Sequence, residues 1–179
     1  MICFRDLTAN EIDVRVGMCK ENGLTLLLYK DARCDMNILD ETVGAENWER
    51  EHYECKGNLF CKVGINTNFN KEGSLPNWVY KSDCGIESNT EKQKGEASDS
   101  FKRACVNWGI GRELYTAPFI WIKAENCNIK SFDFQGKKKY KCDDKFVVEK
   151  IAIENKRIVG LAIRNATLSK RVIVLQETK

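Results

Sequence analysis

Glu54-Cys55-Lys56 places a carboxylate and an amine two residues apart at the end of a strand-like run. With Asp31, Asp35 or Asp40 upstream, the triplet fits the D…E-x-K arrangement of magnesium-dependent nucleases. In that chemistry carboxylates hold the ion and a lysine helps position the attacking water. An E-x-K triplet arises often by chance, and this one falls in an expected hairpin turn, so the nuclease is the alternative reading rather than the first. Nine cysteines, at positions 3, 19, 34, 55, 61, 84, 105, 127 and 142, include no C-x-x-C pair and show no zinc-ligand rhythm. If Gly57-Asn58 is a two-residue turn, Cys55 pairs with Phe60 and Cys61 points to the opposite face. Most of the cysteines are therefore expected to be small buried hydrophobes, kept reduced. The single histidine, His52, has no evident nucleophile partner and is expected to be structural. Trp108-Gly109-Ile110-Gly111 contains G-x-G, but it follows a helix, whereas a phosphate cradle needs the N–H groups that open one. No catalytic residue, metal or cofactor is predicted, and the chain is not expected to be an enzyme.

Binding chemistry is better represented. A polyanionic backbone is recognised by Lys and Arg on a rigid frame, because each neutralised phosphate releases counterions. Lys92, Lys94, Lys102, Arg103 and Arg112 supply such a row, and Arg33 joins it if its helix lies on the same sheet. Trp48, Tyr53, Trp78 and Tyr80 lie on or beside strands and read first as core or sheet surface. Stacked on a base, such a ring contributes roughly 1–3 kcal/mol.

The elements that must position these residues are legible. Ser88 to Trp108 reads as a helix, with Ser88 and Glu91 at capping-box spacing and Ala97, Phe101, Ala104, Cys105 and Trp108 on one face. Gly109 and Gly111 stop it. Before it, Trp48–Cys55, Leu59–Ile65 and Trp78–Cys84 read as strands of an antiparallel meander, joined by a tight turn and then by an exposed loop, Asn66 to Asn77. Cys34–Val43 reads as a helix, Leu24 to Lys30 as a buried strand, and Thr8 to Met18 as a short N-terminal helix opened by Thr8 and Glu11. After Pro118 come a short apolar strand, a polar lysine-rich stretch from Asn126 to Asp144, and strands at Phe146–Ile153, Ile158–Arg164 and Val172–Leu175. The fold class expected is α+β: an antiparallel β-meander packed on a long helix, a β-β-β-α core, with a C-terminal β extension. Residues 1–116 would form that core with its N-terminal helix and strand, and residues 117–179 a basic extension of the same domain.

The 179 residues, 42% hydrophobic and 31% charged, suit a globular protein with a real core. No window approaches the roughly 18 apolar residues of a membrane span, so no membrane partner is expected. MICFRDLTANE lacks the layout of a secretion signal, and a cytoplasmic location is the expectation, the host cytoplasm if the chain is phage-encoded. The net charge of +3 is unevenly spread. Residues 1–116 hold 15 Lys+Arg against 19 Asp+Glu, a net −4, and residues 117–179 hold 14 against 7, a net +7. Such a basic third suits a polyanion or an acidic neighbouring subunit.

The series Glu96-Ala97-Ser98-Asp99-Ser100-Phe101-Lys102-Arg103-Ala104, followed by Trp108-Gly109, resembles the N-terminal annealing domain of the eukaryotic Rad-fifty-two/Rad-twenty-two recombination family, in the divergent form found in phages and prophages. Matching features run from about Tyr29 to Tyr115: the Arg33 region, Leu39 to Gly44 leading to Trp48, and the meander ending at Asp83-Cys84-Gly85. The resemblance implies an ATP-independent, ring-forming homo-oligomer that binds single-stranded DNA in a basic groove and anneals complementary strands in recombination and repair. It implies partners among single-strand-binding or replication proteins, and backbone contacts at Arg33, Lys102 and Arg103. Two positions depart from the pattern: Ala45 stands where members often carry an aromatic, and Val106 where they carry a further arginine. Lys92, Lys94 and Arg112 complete the expected DNA-binding set.

Overall fold

The computed structural model describes residues 2–86 and 92–176. In chain order the elements are β1 (Asp13–Lys20), β2 (Gly23–Tyr29), α1 (Ala32–Val43), β3 (Trp48–Cys55), β4 (Asn58–Asn66), β5 (Trp78–Cys84), α2 (Lys92–Trp108), β6 (Ile120–Lys123), β7 (Ile129–Phe134), β8 (Lys137–Cys142), β9 (Phe146–Glu154), β10 (Arg157–Asn165) and β11 (Lys170–Gln176). The fold is α+β, and every sheet pairing is antiparallel. The chain divides into two compact units, Met1–Asp6 with Asp31–Arg112, and Leu7–Lys30 with Glu113–Lys179.

The first unit is the meander and its helices. Sheet order is β3-β4-β5. Alternation in β4 sends Cys61, Val63 and Ile65 inward, all fully buried, against Phe101, Ala104 and Cys105 of α2. Burying a valine, isoleucine or phenylalanine side chain in this way contributes about 1.5–3 kcal/mol. The helix ends where expected, at Gly109, whose φ of 101° no residue with a side chain adopts easily. The Ser88–Glu91 capping box lies outside the described residues. The hairpin turn corrects the expectation by one residue. Lys56 and Gly57 form it, Cys55 pairs with Asn58, and Phe60 faces Tyr53. Cys61 still points away from Cys55 and is buried, while Cys55 is exposed. The Asn66–Asn77 connection is exposed over residues 70–77, as expected, and is also bonded internally. The Asn66 carboxamide oxygen accepts the N–H groups of Asn68 (3.1 Å) and Asn77 (3.0 Å), and Asn68 donates to the Leu75 carbonyl at 3.0 Å. Asparagine side chains here replace the ladder that a strand would supply.

The second unit is a six-stranded sheet ordered β11-β10-β9-β1-β2-β6. Its halves meet at a single pair, Asp13↔Val147, and its edge strands β6 and β11 approach each other. The expected helix over Thr8 to Met18 is not formed. Glu11 does accept the Thr8 backbone N–H (2.8 Å) and hydroxyl (2.9 Å), but the turn it opens is a single 3-10 turn, Ala9–Glu11. β1 follows at once, because the apolar strand β2 leaves a row of backbone donors and acceptors that only a neighbouring strand answers. β1 and β6 flank it. The strand pair from the N-terminus thus belongs with the C-terminal strands and not with the meander. The lysine-rich stretch after Asn126 folds as the two-stranded hairpin β7–β8.

All nine cysteines are free thiols; four are buried (Cys34, Cys61, Cys105, Cys127), three half-buried and two exposed. Burial pushes the Cys61 and Cys127 thiols up to about 11. Among the described residues no helix is long and apolar enough to cross a membrane.

Candidate nucleic-acid interface

Trp48 fastens both helices to one face of the meander. Its indole N–H donates to the Asp40 carboxylate of α1 at 2.6 Å, and its ring stacks on Phe101 of α2 with centroids 6.1 Å apart. Arg50, next on the same face of β3, lies 4.8 Å over the Phe101 ring and reaches the Met36 sulfur of α1. His52, next again, sits 3.1 Å from the Ala97 carbonyl. A carbonyl only accepts, so Nε2 carries the proton, and the chain's histidine serves to hold α2. α1 and α2 therefore lie on the same sheet, the condition on which Arg33 joins the basic row.

One flank of α2 is laced to β5. Asp99, Arg103 and Asn107 recur at four-residue steps and meet β5 or the residues just after it. Asp99 accepts the Ile86 N–H at 3.1 Å, Arg103 Nε lies 3.3 Å from Asp83 Oδ1, and Asn107 donates to the Ser82 carbonyl at 3.1 Å. Lys81 returns from β5 to the Asn107 carbonyl at 2.8 Å, with its ammonium 4.6 Å from the Trp108 ring. At the other end Glu96 accepts the Leu59 N–H at 2.9 Å. Gly85 lets this packing close, since a Cβ there would lie 2.2 Å from the Glu96 carbonyl oxygen.

The expected DNA-binding residues now separate. Arg33, near the start of α1, has a side chain 84% exposed, held among the described residues by an ion pair to Asp31 at 3.3 Å. An exposed pair of that kind contributes about 0–1 kcal/mol and yields readily to a phosphate. Lys102 stands on the flank with Ser98 and Val106, away from β5, half-buried and with no hydrogen bond or ion pair among the described residues. Arg103 is committed to Asp83. Arg112 is committed too: it donates to the Val106 carbonyl (3.1 Å) and the Asn107 carbonyl (3.3 Å), a second donor to oxygens at the end of α2 that already accept from the Gly109 N–H and from Lys81. Lys92 and Lys94 belong to α2, but their side chains lie outside the described residues.

The other face of the meander carries Tyr53 stacked on Phe60 at 5.5 Å and Trp78 stacked near Tyr80 at 6.4 Å. Sequence reasoning named three of these rings but not their shared face, which follows only from the register. Its charges are answered internally. Lys62 pairs with Glu51 at 2.6 Å, and the Tyr80 hydroxyl donates to Glu49 at 2.8 Å. Those bonds raise the Lys62 and Tyr80 pKa values. Two carboxylates beside the rings disfavour a phosphate there.

The nuclease carboxylates are not gathered. Asp31 caps α1 by accepting the Cys34 N–H at 3.0 Å, Asp40 holds Trp48, and Asp35 is fully buried. Among the described residues no three His, Cys, Asp or Glu side chains converge as metal ligands do. Compared with protein-family models, curated proteins and solved structures, the chain matches none.

Proposed function

We propose that this chain binds single-stranded DNA along the face that carries α1 and α2 and anneals complementary strands without covalent chemistry. It would act as a homo-oligomer, in ring form, during recombination or repair in the cytoplasm, alongside single-strand-binding or replication proteins. The observation that supports this most is the pair Arg33 and Lys102. They stand on two helices that Trp48 fastens to one sheet; Arg33 is exposed and Lys102, half-buried, makes no hydrogen bond or ion pair among the described residues, while Arg103 and Arg112 are spent on the fold. A rigid basic face holds a backbone extended with its bases outward. Oligomerisation then brings complementary strands together at high effective concentration.

Anisotropy titration of a labelled oligo-dT, with a strand-pairing assay by energy transfer, tests the reading. The double variant Arg33→Ala/Lys102→Ala should bind more weakly, with a shallower salt dependence, and pair strands more slowly. Wild-type protein that neither binds oligo-dT at low salt nor speeds pairing would overturn the proposal. DNA cleavage on adding magnesium that is lost in Glu54→Ala would favour the nuclease instead.

A further inference from the structure

The antiparallel register of β7 and β8 sorts the most basic stretch of the chain onto one face. Lys130 pairs with Lys141, Phe132 with Lys139, and Phe134 with Lys137. Alternation puts these six side chains on the same side. All six are exposed, and the two phenylalanine rings keep 40% and 46% of their surface in water. The opposite side carries Ile129, Tyr140 and Cys142, which are partly buried, with Ser131, Asp133 and Lys138 exposed beyond them, and β8 lies against β1. The hairpin is thus seated by one face, and the six side chains of the other are exposed.

Its seat is rigid. Asp144, just after β8, accepts from the Asn128 backbone N–H (2.8 Å) and side chain (2.9 Å), and from the buried Asn165 of β10 at 2.8 Å. Burial alone would push the Asp144 carboxyl up; these bonds more than offset it and hold it below the ordinary range. Asp143 is shared between Lys130 (3.3 Å) and Lys141 (3.4 Å). Lys137, Lys138 and Lys139 make no ion pair among the described residues. Lys139 lies 4.1 Å over the Phe134 ring and Lys138 5.6 Å from Tyr140. Two exposed apolar rings thus stand among ammonium groups, of which Lys137 and Lys139 face no carboxylate among the described residues, an arrangement complementary to an anion that carries flat rings. Charge separation by unit agrees. The unit holding the hairpin has 17 Lys+Arg against 11 Asp+Glu, a net +6, and the meander unit has 12 against 15, a net −3.

We propose that this outward face is a second single-strand contact, in which Lys137, Lys139 and the pair Lys130/Lys141 neutralise phosphates while Phe132 and Phe134 stack on bases. Flatness decides for nucleic acid over an acidic protein, because rings interleaved with cations match the alternation of base and phosphate. The inference shares only its ligand class with the α1/α2 reading, and the two fail separately.

The test uses the full chain with labelled oligo-dT, an abasic oligomer of equal length and heparin, each titrated at stepped salt. Lys137→Gln/Lys139→Gln should lower the salt slope by about 0.7 per lost contact on both oligomers, and lower it on heparin as well. Phe132→Ala/Phe134→Ala should weaken oligo-dT binding by roughly five- to a hundredfold per stacked ring, leaving the abasic oligomer and heparin unchanged. These positions are exposed, and unchanged melting temperatures confirm that any loss belongs to binding. Unchanged oligo-dT affinity in both variants, while Arg33→Ala/Lys102→Ala weakens it, overturns the hairpin site and leaves the helix face standing. Loss in the hairpin variants alone supports the hairpin and removes the helix face. An equal phenylalanine effect on heparin, or phenylalanine-dependent binding to phosphatidylserine vesicles without any on oligo-dT, refutes base stacking.

Discussion

Lys102 and Arg103 are adjacent and alike in charge, yet the geometry assigns them different work, and one pair of variants separates the roles. In Lys102→Ala no internal bond is lost, since Lys102 has none among the described residues. Its stability should stay within about 0.5 kcal/mol of wild type, as for other partly exposed substitutions away from structural features. If Lys102 touches a phosphate, the slope of log affinity against log salt should fall by about 0.7 on a single strand. Between about 50 and 200 mM salt, wild type should then lose roughly 2.5-fold more affinity than the variant. Arg103→Ala instead removes the 3.3 Å pair with Asp83, whose partners' side chains are 36% and 26% exposed. Solvent screens a pair that open, so the expected cost is about 0.5–1 kcal/mol. For a chain of this length that lowers the melting temperature by roughly 2 °C. The assays are thermal unfolding by circular dichroism and anisotropy titration at stepped salt. An unchanged slope in Lys102→Ala removes Lys102 from the interface. A full slope change in Arg103→Ala with no loss of stability refutes the claim that Asp83 holds this arginine.

Trp48→Phe keeps the ring beside Phe101 but deletes the donor to Asp40, and urea unfolding should show a loss of about 1 kcal/mol, with none meaning that α1 is held otherwise. Gly85→Ala drives a methyl into the Glu96 carbonyl and should destabilise by about 1–3 kcal/mol; a neutral result would contradict the close approach of strand and helix. Arg171 donates to Glu149 at 2.5 and 2.8 Å and holds its carboxyl below the ordinary range. A lowered native pKa stabilises fully above the unfolded value of about 4.3 and is lost as pH falls through the native value. Glu149→Gln should accordingly flatten the acid limb of stability below about pH 4, and an unchanged limb would mean the pair contributes nothing.

The first unit was readable in the chain because its information is local. Strict alternation at Leu59, Cys61, Val63 and Ile65, a three-and-four spacing from Ala97 to Trp108, and glycine stops each act within a few residues. Those features alone determined the α+β class, the meander and the helix that crosses it. The N-terminal segment was misread as helix for the same reason. Thr8 and Glu11 do form their local bonds, but whether a turn continues depends on what lies alongside, and β2 demanded a neighbour that no local pattern announces. The site divided along the same line. Residue types told which side chains suit a phosphate; only the packing showed that Arg103 and Arg112 are already bonded within the fold, that Arg33 is exposed and that Lys102 has no bond among the described residues. The Lys/Phe face of β7–β8 is the plainest case, since GKKKYK is merely basic until a register, set by pairing across the hairpin, places its alternate residues beside Phe132 and Phe134.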